Sequence, residues 1–246
     1  MDLGLTGRTA VVCGASAGIG LGIAESLAGE GTNVVMLARR AEPLEREAAR
    51  LGALAVVGDV TSPEDAERVV QAAVAAHGGI DILVNNSGGP PRSTAAELRL
   101  EQVEETVRLL LLSVVRLTEL CLPFLRQSTA GRIVNVTSSS VREPIDNLAL
   151  SNAVRPGVVG WAKTLARELG PDGITVNCVA PGRIDTERIR EVYPDGPSEA
   201  DLATIPLRRL GTTREIGDVV AFLCSERAAY VSGTVLLVDG ALTRGL

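Results

Sequence analysis

The chain has 246 residues, 46% of them hydrophobic and 22% charged, a balance that suits a folded globular protein and excludes a disordered one. Its formal charge of -6 at pH 7 offers no basic footprint for nucleic acid or anionic lipid, so small molecules are the expected partners. The longest apolar stretch, at 109–115, is broken by Ser113 and flanked by Arg108 and Arg116, far short of the ~20 residues that span a membrane. The opening MDLGLTGRTAVV lacks the separate basic, apolar and cleavage regions of an export signal, so a cytoplasmic protein is expected. Cys13, Cys121, Cys178 and Cys224 are dispersed in apolar contexts, with no CxxC pair and no adjacent histidine. They are read as buried free thiols, and no metal site is expected.

Short β-rich runs recur in chain order at 9–13, 33–38, 54–57, 80–84, 132–136, 175–179 and 234–238, most of them separated by helical-length segments. Near-continuous apolar runs such as ILV and IVNV suit strands covered on both faces, and strand-helix alternation implies right-handed crossovers. The expected fold is α/β: one doubly wound, Rossmann-type three-layer sandwich over residues 1–246, with a mostly parallel seven-stranded sheet. Residues 100–125 and the segment ending WAKTLAREL carry apolar residues at helical spacing, and Gly170-Pro171 stops the latter. A lid-like insertion is expected at about 183–206, where charges mix with Tyr193-Pro194 and Gly196-Pro197.

Directly after the first strand, CGASAGIG places Gly14, Gly18 and Gly20 in a tight turn that opens a helix. Glycines admit the backbone close to a pyrophosphate, and free amides at the helix N-terminus attract its charge. Gly14, Ser16, Gly18, Ile19 and Gly20 are therefore candidate cofactor contacts. The second strand ends in Ala38-Arg39-Arg40 rather than in the acidic residue that would bind an adenosine ribose. Arg39 and Arg40 could hold a 2′-phosphate through planar charged forks, so NADP is favoured over NAD.

Six pieces in order, CGASAGIG, Asp59-Val60, Asn85-Asn86-Ser87-Gly88, NVTSSS at 135–140, Pro181-Gly182 with Thr186, and LVDGA, resemble the short-chain dehydrogenase/reductases. The nearest branch is that of the 3-oxoacyl-carrier-protein reductases. The resemblance implies that Asp59 and Val60 contact the adenine, that Asn85, Asn86, Ser87 and Gly88 line the dinucleotide, and that Pro181, Gly182, Ile184 and Thr186 border the nicotinamide. It also implies a homotetramer or dimer built through the two central helical segments and the last strand, with Trp161 at such a contact. The substrate class it suggests is a 3-oxoacyl or other carbonyl compound.

The family's catalytic set, a tyrosine proton donor with lysine, serine and asparagine, does not carry over intact. The resemblance aligns Ser138 with the serine, Ser151 with the tyrosine, Arg155 with the lysine and Leu110 with the asparagine. An aliphatic hydroxyl is a far weaker acid than a phenol, and a guanidinium binds and orients without relaying protons. Pro156 follows at once, so the helix is expected to start or kink there; if it starts only at Pro156, Ser151 and Arg155 need not share a face, as they would in a continuous helix. His77 reads as a helix-end or solvent residue, Tyr193 as a lid residue able to swing inward, and Tyr230 as a packing residue. Ser139 and Ser140 read as satisfying local backbone groups.

The leading expectation is an NAD(P)-dependent oxidoreductase, NADP preferred, moving a hydride between cofactor and a carbonyl or alcohol at an atypical centre. Two other classes compete with it. One is a catalytically impaired cofactor-binding protein with a regulatory or structural role, the other an enzyme like the haloalcohol dehalogenases, against which the intact glycine turn argues.

Overall fold

The computed structural model describes residues 2–193 and 195–245, with the Val192 side chain also outside the description. Its strands are β1 (Thr9–Cys13), β2 (Asn33–Ala38), β3 (Leu54–Val57), β4 (Ile82–Asn85), β5 (Arg132–Val136), β6 (Thr175–Pro181) and β7 (Val235–Val238). Its helices are α1 (Gly18–Gly29), α2 (Ala41–Leu51), α3 (Pro63–His77), α4 (Leu100–Val107), α5 (Ser113–Leu125), α6 (Ala149–Leu169), α7 (Glu187–Val192), α8 (Glu199–Ala203) and α9 (Thr213–Cys224). The strands pair side by side in the order β3-β2-β1-β4-β5-β6-β7, and every pairing is parallel. The chain thus works outward from β1 in one direction, then restarts at β4 in the other. In doubly wound sheets, that reversal opens a crevice at the carboxyl ends of the two central strands.

Side-chain alternation builds a core on each face of the sheet. Ala10 and Val12 of β1 join Val34 and Met36 of β2 under α1 and α9, where Ile23, Leu27, Ile216 and Val220 cover them. Val11 and Cys13, with Val35 and Leu37, point the other way into Val69, Leu117, Cys121, Leu125 and Leu169 of α3, α5 and α6. Strands sandwiched between helices have no solvent face, which is why their sequences run apolar without a polar alternate.

Two helices differ from the expectation. Residues 100–125 form not one helix but α4 and α5 joined by a π-helical turn at Arg108–Leu112, a wider turn that hydropathy spacing does not encode. The helix around Pro156 neither starts nor breaks there: α6 runs unbroken from Ala149 to Leu169. Pro156 lies exposed, so the carbonyl it strips of an amide partner stays open to water, while the buried stripe of Leu150, Val154, Val158 and Ala162 holds both halves to the sheet. The segment at 183–206 carries α7 and α8.

Candidate active site

The glycine turn after β1 is shaped by close approach. Gly14 has φ +63° and Gly18 φ +57°, left-handed values that a side chain would strain. A Cβ on Gly20 would lie 2.2 Å from the Gly14 carbonyl oxygen. Asn86 braces this turn from just beyond β4, its Nδ2 donating to the Cys13 carbonyl at 3.1 Å. The first turn of α1 has neither a side-chain cap nor an acidic residue, whereas α3, α8 and α9 are capped by Ser62, Ser198 and Thr212. Uncapped amides at a helix start are donors left open to an anion. Ser16 is half-buried in the turn, and Ile19 packs against the core beneath it.

Along one wall, Arg39 is largely exposed and lies 3.6 Å from Asp59, while Arg40 pairs with Glu187 of α7 at 3.3 Å. Asp59 is positioned by accepting from the Thr61 amide and hydroxyl, each at 2.8 Å. Val60, Asn85, Asn86, Ser87 and Arg155 come together around one crevice at the strand ends, joined by Leu110 and Asn135. Gly88 follows, exposed.

Asn85 ends β4 fully buried, its Nδ2 donating to Asn135 Oδ1 at 2.9 Å and to Thr118 at 3.3 Å. Asn135 sits opposite it on β5. Asn85 Oδ1 and Asn135 Nδ2 are both buried without a partner, so this pair ties the strands together and leaves polar capacity facing the crevice. Pro181 closes β6. A Cβ on Gly182 would lie 2.6 Å from Asp239 Cβ, which keeps the chain close against the last strand's end. Ile184 is buried, with its side chain against Gly211 and the core, so only its backbone is free to face a cofactor. Thr186 reaches back across the crevice, its methyl 3.5 Å from where a Gly18 Cβ would stand.

The catalytic positions fall close together but in altered partnerships. Ser138 caps a short 3₁₀ turn at Ser139–Val141, its hydroxyl accepting from the Ser140 amide at 3.1 Å. Because α6 is continuous, Ser151 and Arg155 are one turn apart and share a face. The buried Ser151 hydroxyl lies 3.3 Å from that of Ser140, a partner that the sequence reading had left to local backbone. Arg155 Nη1 donates to the Val136 carbonyl at 3.1 Å, and its Nε is buried without a partner. Burial first, and then the charge of Arg188, bring its pKa down to about 10; it remains a cation at neutral pH. Leu110 is buried in the π turn and puts an isobutyl group on the crevice wall.

The other candidates lie outside this constellation. His77 is exposed at the end of α3. Tyr193 follows α7, and its hydroxyl lies beside the Asp201 carboxylate, which it helps hold below the usual range after the larger contributions of Ser198. Tyr230 is not a packing residue: it is fully exposed in the turn that follows the 3₁₀ turn at Glu226–Ala228. All four cysteines are buried free thiols, and among the described residues no cluster of histidine, cysteine and carboxylates could hold a metal.

Known proteins resemble this chain in both sequence and fold. A family model described as enoyl-(acyl carrier protein) reductase matches residues 14–243. The 3-oxoacyl-[acyl-carrier-protein] reductase of Vibrio cholerae is 38% identical over 244 residues, covering 98% of this chain and 99% of its own. Among solved structures, L-sorbose reductase from Gluconobacter frateurii, complexed with NADPH and L-sorbose, superposes with a TM-score of 0.93 at 34% identity, covering 100% of both chains. An NADPH-bound short chain oxidoreductase from Pseudomonas aeruginosa, described as containing an atypical catalytic center, matches at 31% identity and a TM-score of 0.93, over 99% of each chain. With the family model spanning nearly the whole chain, and a full-length relative above one-third identity, the chain is a member of the short-chain dehydrogenase/reductase family.

Proposed function

We propose that this protein is a single-domain, NADP(H)-dependent oxidoreductase that moves a hydride between cofactor and a small carbonyl or alcohol substrate at a catalytic centre rebuilt around Ser138, Ser151 and Arg155. The observation that carries the reading is the convergence of the uncapped α1 turn, Val60, Asn86 and Thr186 on one crevice at the reversal of strand order. The cradle fits a dinucleotide, since Gly14 and Gly18 bend the turn through left-handed φ and the α1 amides it exposes carry no side-chain cap. Gly14, Ser16, Gly18, Ile19 and Gly20 would hold the pyrophosphate, Asp59 and Val60 the adenine, and Asn85 to Gly88 with Pro181, Gly182, Ile184 and Thr186 the nicotinamide half. Arg39 and Arg40 would take the 2′-phosphate, exchanging exposed carboxylate partners for a doubly charged one.

When bound, NADPH supplies the hydride. Arg155 would hold ribose hydroxyls and keep positive charge beside the developing alkoxide. Ser138 would orient the carbonyl oxygen. Ser151, a weak acid already engaged with Ser140, would not replace a phenol, so the proton is assigned to water entering from the substrate side. Substrates of the 3-oxoacyl or other small carbonyl type suit the relatives' chemistry. Exposed Leu100, Leu112 and Leu236 support a homotetramer or dimer formed through residues 100–125, α6 and the edge strand β7.

Titration of the purified protein with NADPH and NADH, followed by a carbonyl panel with the tighter cofactor, tests the reading. NADPH binding with turnover is expected. Binding without turnover would instead support a cofactor-dependent regulatory or structural protein, a role favoured by the Ser140–Ser151 contact and by Leu110. Binding of neither dinucleotide would refute both.

A further inference from the structure

On the face of the sheet covered by α3, α5 and α6, the helical layer ends at α6, short of the edge strand β7. Between α6 and the β6–β7 pair lies a cavity of about 330 Å³, a volume suited to a small molecule. Ala162, Val176 and Cys178 are buried beneath it, and Val141, Val159 and Val235 form half-buried walls. Its charged lining is Arg142 and Lys163, both exposed. Lys163 is the only lysine in the chain. Its Nζ donates to the Gly233 carbonyl at 2.9 Å, which uses one of an ammonium's three donors. Gly233 has φ +71°, and a Cβ there would lie 2.9 Å from Nζ, so glycine lets the ammonium lie against the start of β7. Among the described residues neither cation is in an ion pair, and no carboxylate lines the cavity. The carboxylate of Glu143, beside Arg142 in sequence, accepts from the Arg244 amide at 2.9 Å. On a chain whose 30 acidic residues outnumber its 24 basic ones, this is a local reversal of charge set over apolar walls.

We propose that this cavity is a second small-molecule site, separate from the cofactor crevice, and that its ligand is an amphipathic carboxylate: an acid group held by Arg142 and Lys163, with a short apolar body in the cavity. The paired oxygens of a carboxylate accept from a guanidinium fork and an ammonium together. A neutral apolar molecule would leave both cations unanswered, and a bare anion would leave the valine walls in water, so each half of the ligand answers one half of the lining. No residue that lines this cavity lines the crevice. The two are nonetheless connected through the chain. Val141 ends the 3₁₀ turn that Ser138 caps, and Val159 lies one turn of α6 beyond Arg155, so an occupant rests against both segments that carry the catalytic positions. The site stands on its own lining and does not rest on the reductase reading.

The test titrates the full-length protein by calorimetry with octanoate, octanol and acetate, each with and without NADPH. Octanoate is expected to bind roughly tenfold or more tightly than either of the others, and equally well with the cofactor present. Because Lys163 is the sole lysine, its acetylation by an amine-directed reagent, followed by peptide mass spectrometry, reports on this cavity alone. Octanoate well above its Kd should slow that reaction by about threefold or more. Arg142→Gln should weaken octanoate by about fivefold, and Val159→Glu, which places a like charge on the wall, should abolish its binding. Both variants should hold NADPH within about twofold of the native affinity. Octanol binding as tightly as octanoate, octanoate displaced by NADPH, or octanoate binding that leaves Lys163 acetylation unchanged would overturn the site. So would a Lys163 shielded without ligand and freed on dilution to monomers, the mark of a second copy seated there. Octanoate binding in a protein that takes no dinucleotide would sink the reductase reading and leave this site standing.

Discussion

A guanidinium with one hydrogen bond to Val136, a buried unpartnered Nε and, among the described residues, no ion pair is poorly placed to stabilise a fold. Desolvating a cation is expensive unless an opposite charge or a full set of acceptors compensates, and replacing such a charge with an apolar side chain of similar volume is often neutral or stabilising. Arg155→Met is therefore expected to hold or raise Tm while weakening NADPH binding by roughly tenfold, the worth of a charge-assisted hydrogen bond to the cofactor. Thermal denaturation alongside fluorescence titration separates the two effects. A lower Tm with unchanged affinity would make Arg155 a structural residue. The same logic explains why Ser151 and Ser140 were hard to connect beforehand. They lie eleven positions apart, and only the unbroken course of α6 through Pro156 brings the second hydroxyl over the first.

Between elements, the tightest constraint is the contact of α1 with α9. A Cβ on Gly22 would fall 2.5 Å from the Thr213 carbonyl oxygen, and one on Gly217 would fall 2.3 Å from the Gly22 carbonyl oxygen. The two helices meet backbone to backbone, which sets the depth at which α1 presents its uncapped amides. At the other end of the range, a Cβ on Gly18 would meet only the Thr186 methyl at 3.5 Å, leaving a left-handed φ as its main penalty. Gly22→Ala is expected to destabilise by about 1–3 kcal/mol through overpacking, and Gly18→Ala by about 1–2 kcal/mol through strain alone. Urea unfolding should rank them in that order, and a Gly22→Ala protein as stable as the native one would show that α9 can retreat freely. The glycine turn was legible from sequence because spacing and position alone mark it. Gly22 was not, because a helical glycine gives no sign of which backbone approaches it. The π turn at Arg108–Leu112 was hidden for a related reason: hydropathy periodicity survives one widened turn, so the run at 100–125 looked like a single helix.

For the molecule as a whole, apolar runs and strand-helix alternation were enough to read the sheet, both covering layers and the parallel sense of the strands, since each follows from local pattern. What sequence could not supply was three-dimensional partnership: Asn85 with Asn135, Ser140 with Ser151, and Arg155 with the Val136 carbonyl. The cysteines, read correctly as buried, have a global consequence. Burial pushes the thiols of Cys13 and Cys224 up to about 12 and Cys178 to about 11, with Cys121 raised as well, from an ordinary value of 9.0. Above that ordinary value the unfolded chain releases thiol protons that the folded chain retains. A raised native pKa therefore contributes stability fully present below about pH 9 and lost as pH climbs toward about 12. Arg155 acts with opposite sign above about 10, since there the unfolded state holds the extra proton. The window from pH 9 to 10 thus isolates the thiols. Unfolding free energy in urea should decline across it, and Cys224→Ala, although less stable at pH 7, should show a shallower decline, by up to about 1.4 kcal/mol per pH unit. Equal slopes for the two proteins would mean that the Cys224 thiol ionises as readily in the folded chain as in the unfolded one.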